Sequence, residues 1–280
     1  MSMILIHGAV LTGVAVVAPA ALPGARRWRW AAAFLTMSYV LPTGRLAVAA
    51  TAPFVAACTV AALHRARAMW ADRGRTMRAS TAVIEAIVGA CAMVSAVAIV
   101  HSRAGVELGG IGEPIVELTA VHFLFAGVGA LTLAQRSRPR AGSRWVPVRS
   151  IAIACTTAAP PLVACGFLRQ LAPAQVGGAI VMSAGVCLTA ALHLHESRRM
   201  SWTTGRVLLT VSGMAVWAPM VFAVAWAAAL YWDVPAFSVA VMVPAHGLPN
   251  ALAFIVCGLA AHRSDAEQDH AAIDRALVTA

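Results

Sequence analysis

The sequence contains no lysine, and this absence excludes several kinds of enzyme. All 21 basic residues are arginines, so neither a Schiff base on lysine nor a P-loop lysine is available. Charged residues of any kind make up only 11% of the chain and hydrophobic residues make up 60%. An average soluble domain has about 25% charged residues. The composition therefore predicts a polytopic membrane protein.

Cysteine pairs and long polar segments are also missing. The six cysteines all lie in apolar segments, and none forms a CxxC pair. We interpret them as small buried residues and not as disulfides or zinc ligands. The longest polar segment is the C-terminal tail, which has room for one short helix. The sequence thus predicts a transmembrane helical domain over 1–262 and a short cytoplasmic tail over 263–280.

Apolar segments of membrane-spanning length predict an all-α fold, a polytopic transmembrane helical bundle. A spanning helix needs about 20 apolar residues. About nine segments qualify, within a range of seven to nine, because the second is short and meets the third at a Pro-Thr-Gly turn. The nine predicted spans are 3–21, 29–43, 45–64, 80–101, 114–135, 149–168, 173–195, 205–231 and 243–262.

The placement of arginine predicts how the bundle is oriented. The loops after the first, third, fifth and seventh spans hold 16 arginines, and the loops after the even-numbered spans hold 3. Cytoplasmic loops are the arginine-rich ones, so we expect the N-terminus outside and the C-terminus in the cytoplasm of a multi-pass cell-membrane protein. The arginines behind the net charge of +10 then set the orientation of the chain in the membrane. We expect the lipid bilayer as partner and no nucleic acid.

Ionisable residues inside the predicted spans are the best candidates for function. Placing such a group in lipid costs roughly 2.5–3.5 kcal/mol on insertion scales, so these residues usually face a protein interior or a watered cavity. Glu113, expected at the interface just before the fifth span, and Glu117, one turn deeper, are four residues apart and share a helix face. His122 lies about 140° around the helix from Glu117, so the two side chains face different neighbours. Glu117 is either a proton-carrying group or an interhelical hydrogen-bond anchor.

The ninth span contributes a second polar group. His246 and Asn250 are four residues apart, share a face, and are expected at the depth of Glu117. The pair is either part of a site or a polar motif that fixes helix packing. Glu85 lies near the cytoplasmic end of the fourth span. It either pairs with an arginine or, if its helix begins earlier, becomes a second candidate acid.

The remaining histidines give no metal site that we expect from the sequence. His193 and His195 are two residues apart and lie on nearly opposite sides of a helix, which is poor geometry for a metal. His64, His101 and His262 lie at span ends and are expected at the interface, whereas His7 is placed to join the outer cluster. A haem between His122 and His246 is disfavoured because the two are expected one to two turns apart in depth. We therefore predict no metal and no cofactor.

Two short segments resemble a known family. Residues 117–127 (Glu-Leu-Thr-Ala-Val-His-Phe-Leu-Phe-Ala-Gly) and 246–254 (His-Gly-Leu-Pro-Asn-Ala-Leu-Ala-Phe) resemble motifs of the YndJ-like family of bacterial integral membrane proteins. The resemblance implies a membrane fold and a shared site around these segments. In size, helix number and buried carboxylates the chain is also similar to the small membrane-bound terpene cyclases of meroterpenoid and indole-terpenoid pathways.

The first functional hypothesis is an intramembrane isoprenoid cyclase that acts on a lipophilic substrate. Withdrawal from water keeps a carboxyl group neutral, so that it can protonate an alkene or epoxide. Glu117 is the predicted donor and Glu85 the alternative. His122 and His246 would orient the donor or take the proton at the end of the reaction. The predicted substrate-binding residues are Asn250 for a polar head group, Glu113, and the aromatic rings of Phe123 and Trp217, which stabilise cations.

Two other hypotheses remain open. The same Glu and His residues would serve a proton-coupled transporter with a site at mid-membrane. Alternatively, a protein without chemistry would pair its polar residues with each other and leave no cavity. The sequence leaves open the substrate and the oligomeric state.

Overall fold

The computed structural model describes residues 2–71, 79–139, 142–201, 203–235 and 237–263. These residues form helices joined by short loops, and none of them belongs to a β-strand. The predicted all-α fold is therefore confirmed. The predicted tail, apart from its first residue, lies outside the described residues.

Ten helices make up the described chain. They are α1 (Met3–Ala21), α2 (Ala25–Val40), α3 (Arg45–Ala50), α4 (Ala52–Ala71), α5 (Ala79–Ala104), α6 (Ile115–Arg136), α7 (Trp145–Arg169), α8 (Ala172–Ser197), α9 (Thr204–Ala229) and α10 (Val239–Arg263). Seven of them, α1 and α5 to α10, are long and apolar enough to cross a membrane. The chain is a multi-pass membrane protein, and seven lies at the lower end of the predicted range.

The second and third predicted spans differ most from their helices. Helix α2 has 16 residues and begins with Ala-Arg-Arg-Trp-Arg, so it is both short and basic at one end. Its end meets α3 through a turn in which Gly44 has φ +139°. The predicted third span is broken at Thr51 into α3 and α4. Pro53 explains this break, because proline has no backbone N–H to continue the hydrogen bonds of the preceding helix.

Hydrogen bonds between helix ends show how the first five helices run. Arg103, near the end of α5, donates to the carbonyl of Leu41 at 2.8 Å, just after α2 ends. At the other end of the bundle, Arg65 of α4 donates to the carbonyl of Ala21, the last residue of α1, at 2.9 Å. We call these two regions the Arg103 end and the Arg65 end. Helices α1, α6 and α10 begin at the Arg103 end.

Three helices contain wide turns where they meet. The backbone of Gly13–Val17 in α1, Phe123–Ala130 in α6 and Pro249–Val256 in α10 is π-helical. A β-carbon added at Gly129 would lie 2.7 Å from Ile255 and 3.2 Å from Val17. The three wide segments therefore pack closely, and glycine is what permits it. Such wide turns occur frequently at functional sites.

Helices α7 and α8 also pack through glycine. A β-carbon on Gly178 would lie 2.6 Å from the Val163 side chain and 3.0 Å from its backbone nitrogen. Gly166 and Gly185 show equally close contacts along the same interface. Small residues let membrane helices approach closely, so the two helices form a tight antiparallel hairpin.

Candidate functional site

Glu117 is completely buried in the first turn of α6. Its Oε2 lies 3.2 Å from Nε2 of His7, which projects from α1. Both carboxyl oxygens and this ring nitrogen are buried, and none has an aligned hydrogen bond within the described part of the chain. The His7 side chain is 27% exposed, so its exposed surface belongs to the side away from Glu117. His7 thus lies between a buried carboxyl group and an open space.

Tyr39 and Arg103 complete this cluster. The ring of Tyr39 stacks on His7 with 4.2 Å between centroids and 20° between planes, and its hydroxyl lies beside the Glu117 carboxyl. The guanidinium of Arg103 lies 5.3 Å from the centre of the Tyr39 ring and is almost fully buried. A nearby cation lowers the cost of burying a carboxylate. The cluster can therefore hold Glu117 in either protonation state.

His122 and His246 face each other across the gap between α6 and α10. Their ring centroids are 6.2 Å apart and their planes differ by 18°. His122 is exposed and His246 half-buried, although each lies about two turns inside its helix. The rings therefore line an opening within the bundle. The predicted difference in depth between these residues is wrong, because α10 begins at Val239, four residues earlier than predicted.

Hydrogen bonds fix which nitrogen of each ring is free. Nδ1 of His122 lies 2.9 Å from the carbonyl of Leu118, and Nδ1 of His246 lies 2.8 Å from the carbonyl of Pro219. A carbonyl oxygen only accepts, so both Nδ1 atoms carry the proton. Each Nε2 is left without a partner in the described structure. Asn250 donates to the carbonyl of His246 at 2.8 Å, and its Oδ1 is buried and unpaired.

Glu85 is not brought to this site. It lies at the Arg65 end, where its carboxylate pairs with the guanidinium of Arg65. This pairing with an arginine is the simpler of the two alternatives that the sequence left open. The structure separates the two candidate acids at opposite ends of the bundle.

The predicted substrate-binding residues lie in different surroundings. Glu113 is exposed in the loop before α6, close enough to interact electrostatically with His7 and Glu117. Phe123 begins the wide segment of α6 and is half-buried. Trp217 is 44% exposed, and its ring N–H bonds to the carbonyl of Gly213 in its own helix. Asn250 forms a hydrogen bond with His246 of the site.

Tyr39 and Arg103 were missed in the sequence. Arg103 carried a signal, because it is one of three arginines in loops predicted to lie outside. An arginine that departs from the positive-inside pattern needs another reason to be there. Tyr39 carried none, since one tyrosine in an apolar segment is ordinary. Among the residues with described positions, no group of three or more His, Cys, Asp or Glu side chains is arranged to hold a metal ion.

Comparison with family models gives one match. A model described as YndJ-like protein matches residues 2–254, which include both segments that carry the site. Comparison with curated proteins gives no match, and comparison with solved structures gives none.

Proposed function

The chain belongs to the YndJ-like protein family, and we propose that it is an intramembrane isoprenoid cyclase of the meroterpenoid or indole-terpenoid type. The observation that carries the proposal is the contact between the buried Glu117 and the partly exposed His7. A buried carboxyl group keeps its proton, and a histidine beside it can deliver that proton to a substrate.

His7 is needed in this mechanism because Glu117 has no exposed surface. Nε2 of His7 takes the proton from Glu117 while Nδ1 of the same ring gives its own proton to an alkene or epoxide of the substrate. Glu117 becomes a carboxylate and His7 remains neutral, with its proton on the other nitrogen. Arg103 and the Tyr39 hydroxyl stabilise the new carboxylate.

The end of the reaction requires a base. His122 and His246 each present an unpaired Nε2 to the opening between α6 and α10, and either accepts the proton that the cyclised cation loses. The buried Oδ1 of Asn250 would accept a hydrogen bond from a hydroxyl or N–H of the substrate head group. One proton enters and one leaves, so the product is an isomer of the substrate.

The test uses membranes that contain wild-type protein, Glu117→Gln or Glu85→Gln. They are incubated with farnesylated and geranylgeranylated acceptors and their epoxides, and products are analysed by chromatography and mass spectrometry. We expect a product of unchanged mass and shifted retention from wild type and Glu85→Gln, and none from Glu117→Gln. No conversion across the panel contradicts the cyclase, and a product lost only in Glu85→Gln makes Glu85 the acid.

A proton-coupled transporter is the second candidate, and the complete burial of Glu117 favours it. A carboxyl group that never meets the substrate can still carry a proton between two states of the protein. In proteoliposomes this candidate predicts uptake of a probe such as ethidium, driven by a pH difference and abolished in Glu117→Gln. Uptake that is unchanged in this variant contradicts it.

A further inference from the structure

A second pair of histidines lies at the Arg65 end of the bundle. The rings of His193 in α8 and His262 in α10 meet edge to face with 5.4 Å between centroids. His193 is fully buried. Nε2 of each ring is buried and has no hydrogen-bond partner among the described residues. His262 lies one residue before the end of α10, and its ring nitrogen is nevertheless buried.

His193, Ser212 and the carbonyl of Phe254 form a chain of two hydrogen bonds in which each donor can be assigned. Ser212 in α9 donates its hydroxyl to the carbonyl of Phe254 at 2.7 Å, because a carbonyl cannot donate. The 2.9 Å contact between Ser212 and Nδ1 of His193 is therefore donated by the ring. Nε2 of His193 carries a lone pair and can accept a proton.

These groups follow one stripe of α10. His246, Asn250, Phe254, Gly258 and His262 are each four residues apart, so each lies beside the next along the helix. A β-carbon on Gly258 would lie 2.9 Å from the Ser212 hydroxyl. Glycine at this position thus lets the hydroxyl lie directly against the stripe.

The stripe covers most of a membrane. From His246 to His262 the helix advances by sixteen residue steps, a rise of about 20–24 Å along its axis. The hydrocarbon core of a membrane is about 30 Å thick. Asn250 Oδ1 and the two Nε2 atoms of His193 and His262 are buried without partners. Buried polar atoms of this kind normally bind internal water. They mark where water molecules would link the side chains.

We propose that the stripe on α10, with Ser212 and His193 beside it, is a proton relay that connects the two ends of the bundle. This activity goes beyond the cyclisation and does not depend on it. Each imidazole gains a proton on one nitrogen and releases one from the other, so no group changes its total charge after a transfer. Ser212 would accept the Nδ1 proton of His193 and release its own hydroxyl proton, which the Phe254 carbonyl holds, to an internal water bound at Asn250 Oδ1.

Positive charge at the Arg65 end favours loss of a proton from His262, and the Nε2 lone pair of His193 can accept it. Arg136 and Arg138 lie close enough to His262 to repel a proton on its ring. Apolar side chains enclose the middle of the relay, since Leu133 contacts the stripe at Gly258 and Phe254 is buried. Protons would therefore pass between the polar groups of the relay and not through the apolar side chains around them.

The test measures proton flux into proteoliposomes. A potassium gradient with valinomycin drives protons inward, and trapped pyranine reports the internal pH without any added substrate. We compare wild type with His193→Phe and Ser212→Ala. The matched control is His195→Phe, two residues away on α8, where the ring stacks on Trp145 with 4.4 Å between centroids. Size-exclusion profiles establish that each variant is folded.

We expect wild type and His195→Phe to conduct at least tenfold faster than protein-free liposomes. His193→Phe should lose most of this flux. Ser212→Ala, which removes only one oxygen, should reduce the proton flux at least fivefold. This variant keeps the test decisive if His193→Phe does not fold. Flux in wild type equal to that of empty liposomes overturns the proposal. Flux that is unchanged in Ser212→Ala also overturns it.

Discussion

Glu117 and Glu85 differ in the side chains that surround their carboxyl groups. Glu117 lies beside His7 and Tyr39, with Arg103 against the tyrosine ring, and it has no exposed surface. Glu85 is 27% exposed and directly paired with an arginine. A carboxylate held by a guanidinium at a span end has an evident structural role. The carboxyl group beside His7 is paired with no guanidinium among the described residues, and its Oε2 lies 3.2 Å from a ring nitrogen that can exchange a proton with it.

His7→Gln tests whether His7 passes the proton of Glu117 to the substrate. Glutamine keeps a polar side chain but cannot pass a proton from one atom to another, so we expect product formation to fall by about 10²-fold or more. His101→Gln is the control, because the ring of His101 bonds to the carbonyl of Val97 in its own helix, and this variant should retain activity within twofold. Full activity in His7→Gln together with none in Glu117→Gln would mean that Glu117 protonates the substrate directly.

Arg65→Met tests the structural role of the pair at the other end. Arg65 holds both Glu85 and the terminal carbonyl of α1, and hydrogen bonds to charged groups contribute about 1.5–3 kcal/mol. We expect Arg65→Met to lower the free energy of unfolding, measured in mixed micelles with SDS, by about 1–3 kcal/mol. Glu85→Gln should cost less than about 1 kcal/mol, because the site is partly exposed and screened. A larger effect for Glu85→Gln would contradict this ranking.

At the scale of helices, the sequence predicts well where each helix lies along the chain. It predicts poorly which other helix each side chain contacts. Long apolar segments place most of the seven spanning helices within a few residues of their observed ends. Glu117 and His122 were expected to face different neighbours, and they do: one meets α1 and the other α10. Which helix each would meet depends on packing across the chain, so His7 with Glu117 and His193 with Ser212 could not be paired from spacing alone. The wide turns also leave no signal that sequence periodicity detects.

Gly178→Ala tests the packing between α7 and α8. The added methyl group would collide with both the side chain and the backbone of Val163, so one helix must move. Overpacking of this kind costs typically about 1–3 kcal/mol. Gly177→Ala is a matched control on the next residue, where a β-carbon has no atom within 4 Å. We expect it to leave the unfolding free energy in micelles unchanged or raise it by up to about 1 kcal/mol. Equal effects at both positions would contradict the close contact.

At the scale of the whole molecule, helix ends alternate between two regions even where a helix is short. The end of α2 contacts Arg103, and the end of α1 contacts Arg65. Helix α2, and helix α3 together with α4, therefore run between the same two ends. The N-terminus and the loop before α6 lie at the same end.

Reporter fusions test the predicted orientation. Alkaline phosphatase folds only outside the cytoplasm, so fusions after Gly110 and after Asp233 should be active. Fusions after Ser143 and after Ser201 should be inactive, because these loops follow the arginine-rich pattern of the cytoplasmic side. Green fluorescent protein at the same four positions should give the opposite result. Activity in the reverse pattern would place the N-terminus and the Glu117 cluster on the cytoplasmic side.

The hairpin of α7 and α8 has a consequence for biosynthesis. Its two helices are joined by a turn at Gln170 and Leu171 and pack through three glycines, so its contacts are close in sequence and need nothing from the rest of the chain. Local contacts form early in folding. The hairpin can therefore enter the bilayer and close as a unit while α9 and α10 are still being translated. The site around His246 would then form last, when α10 packs against helices that are already in the bilayer.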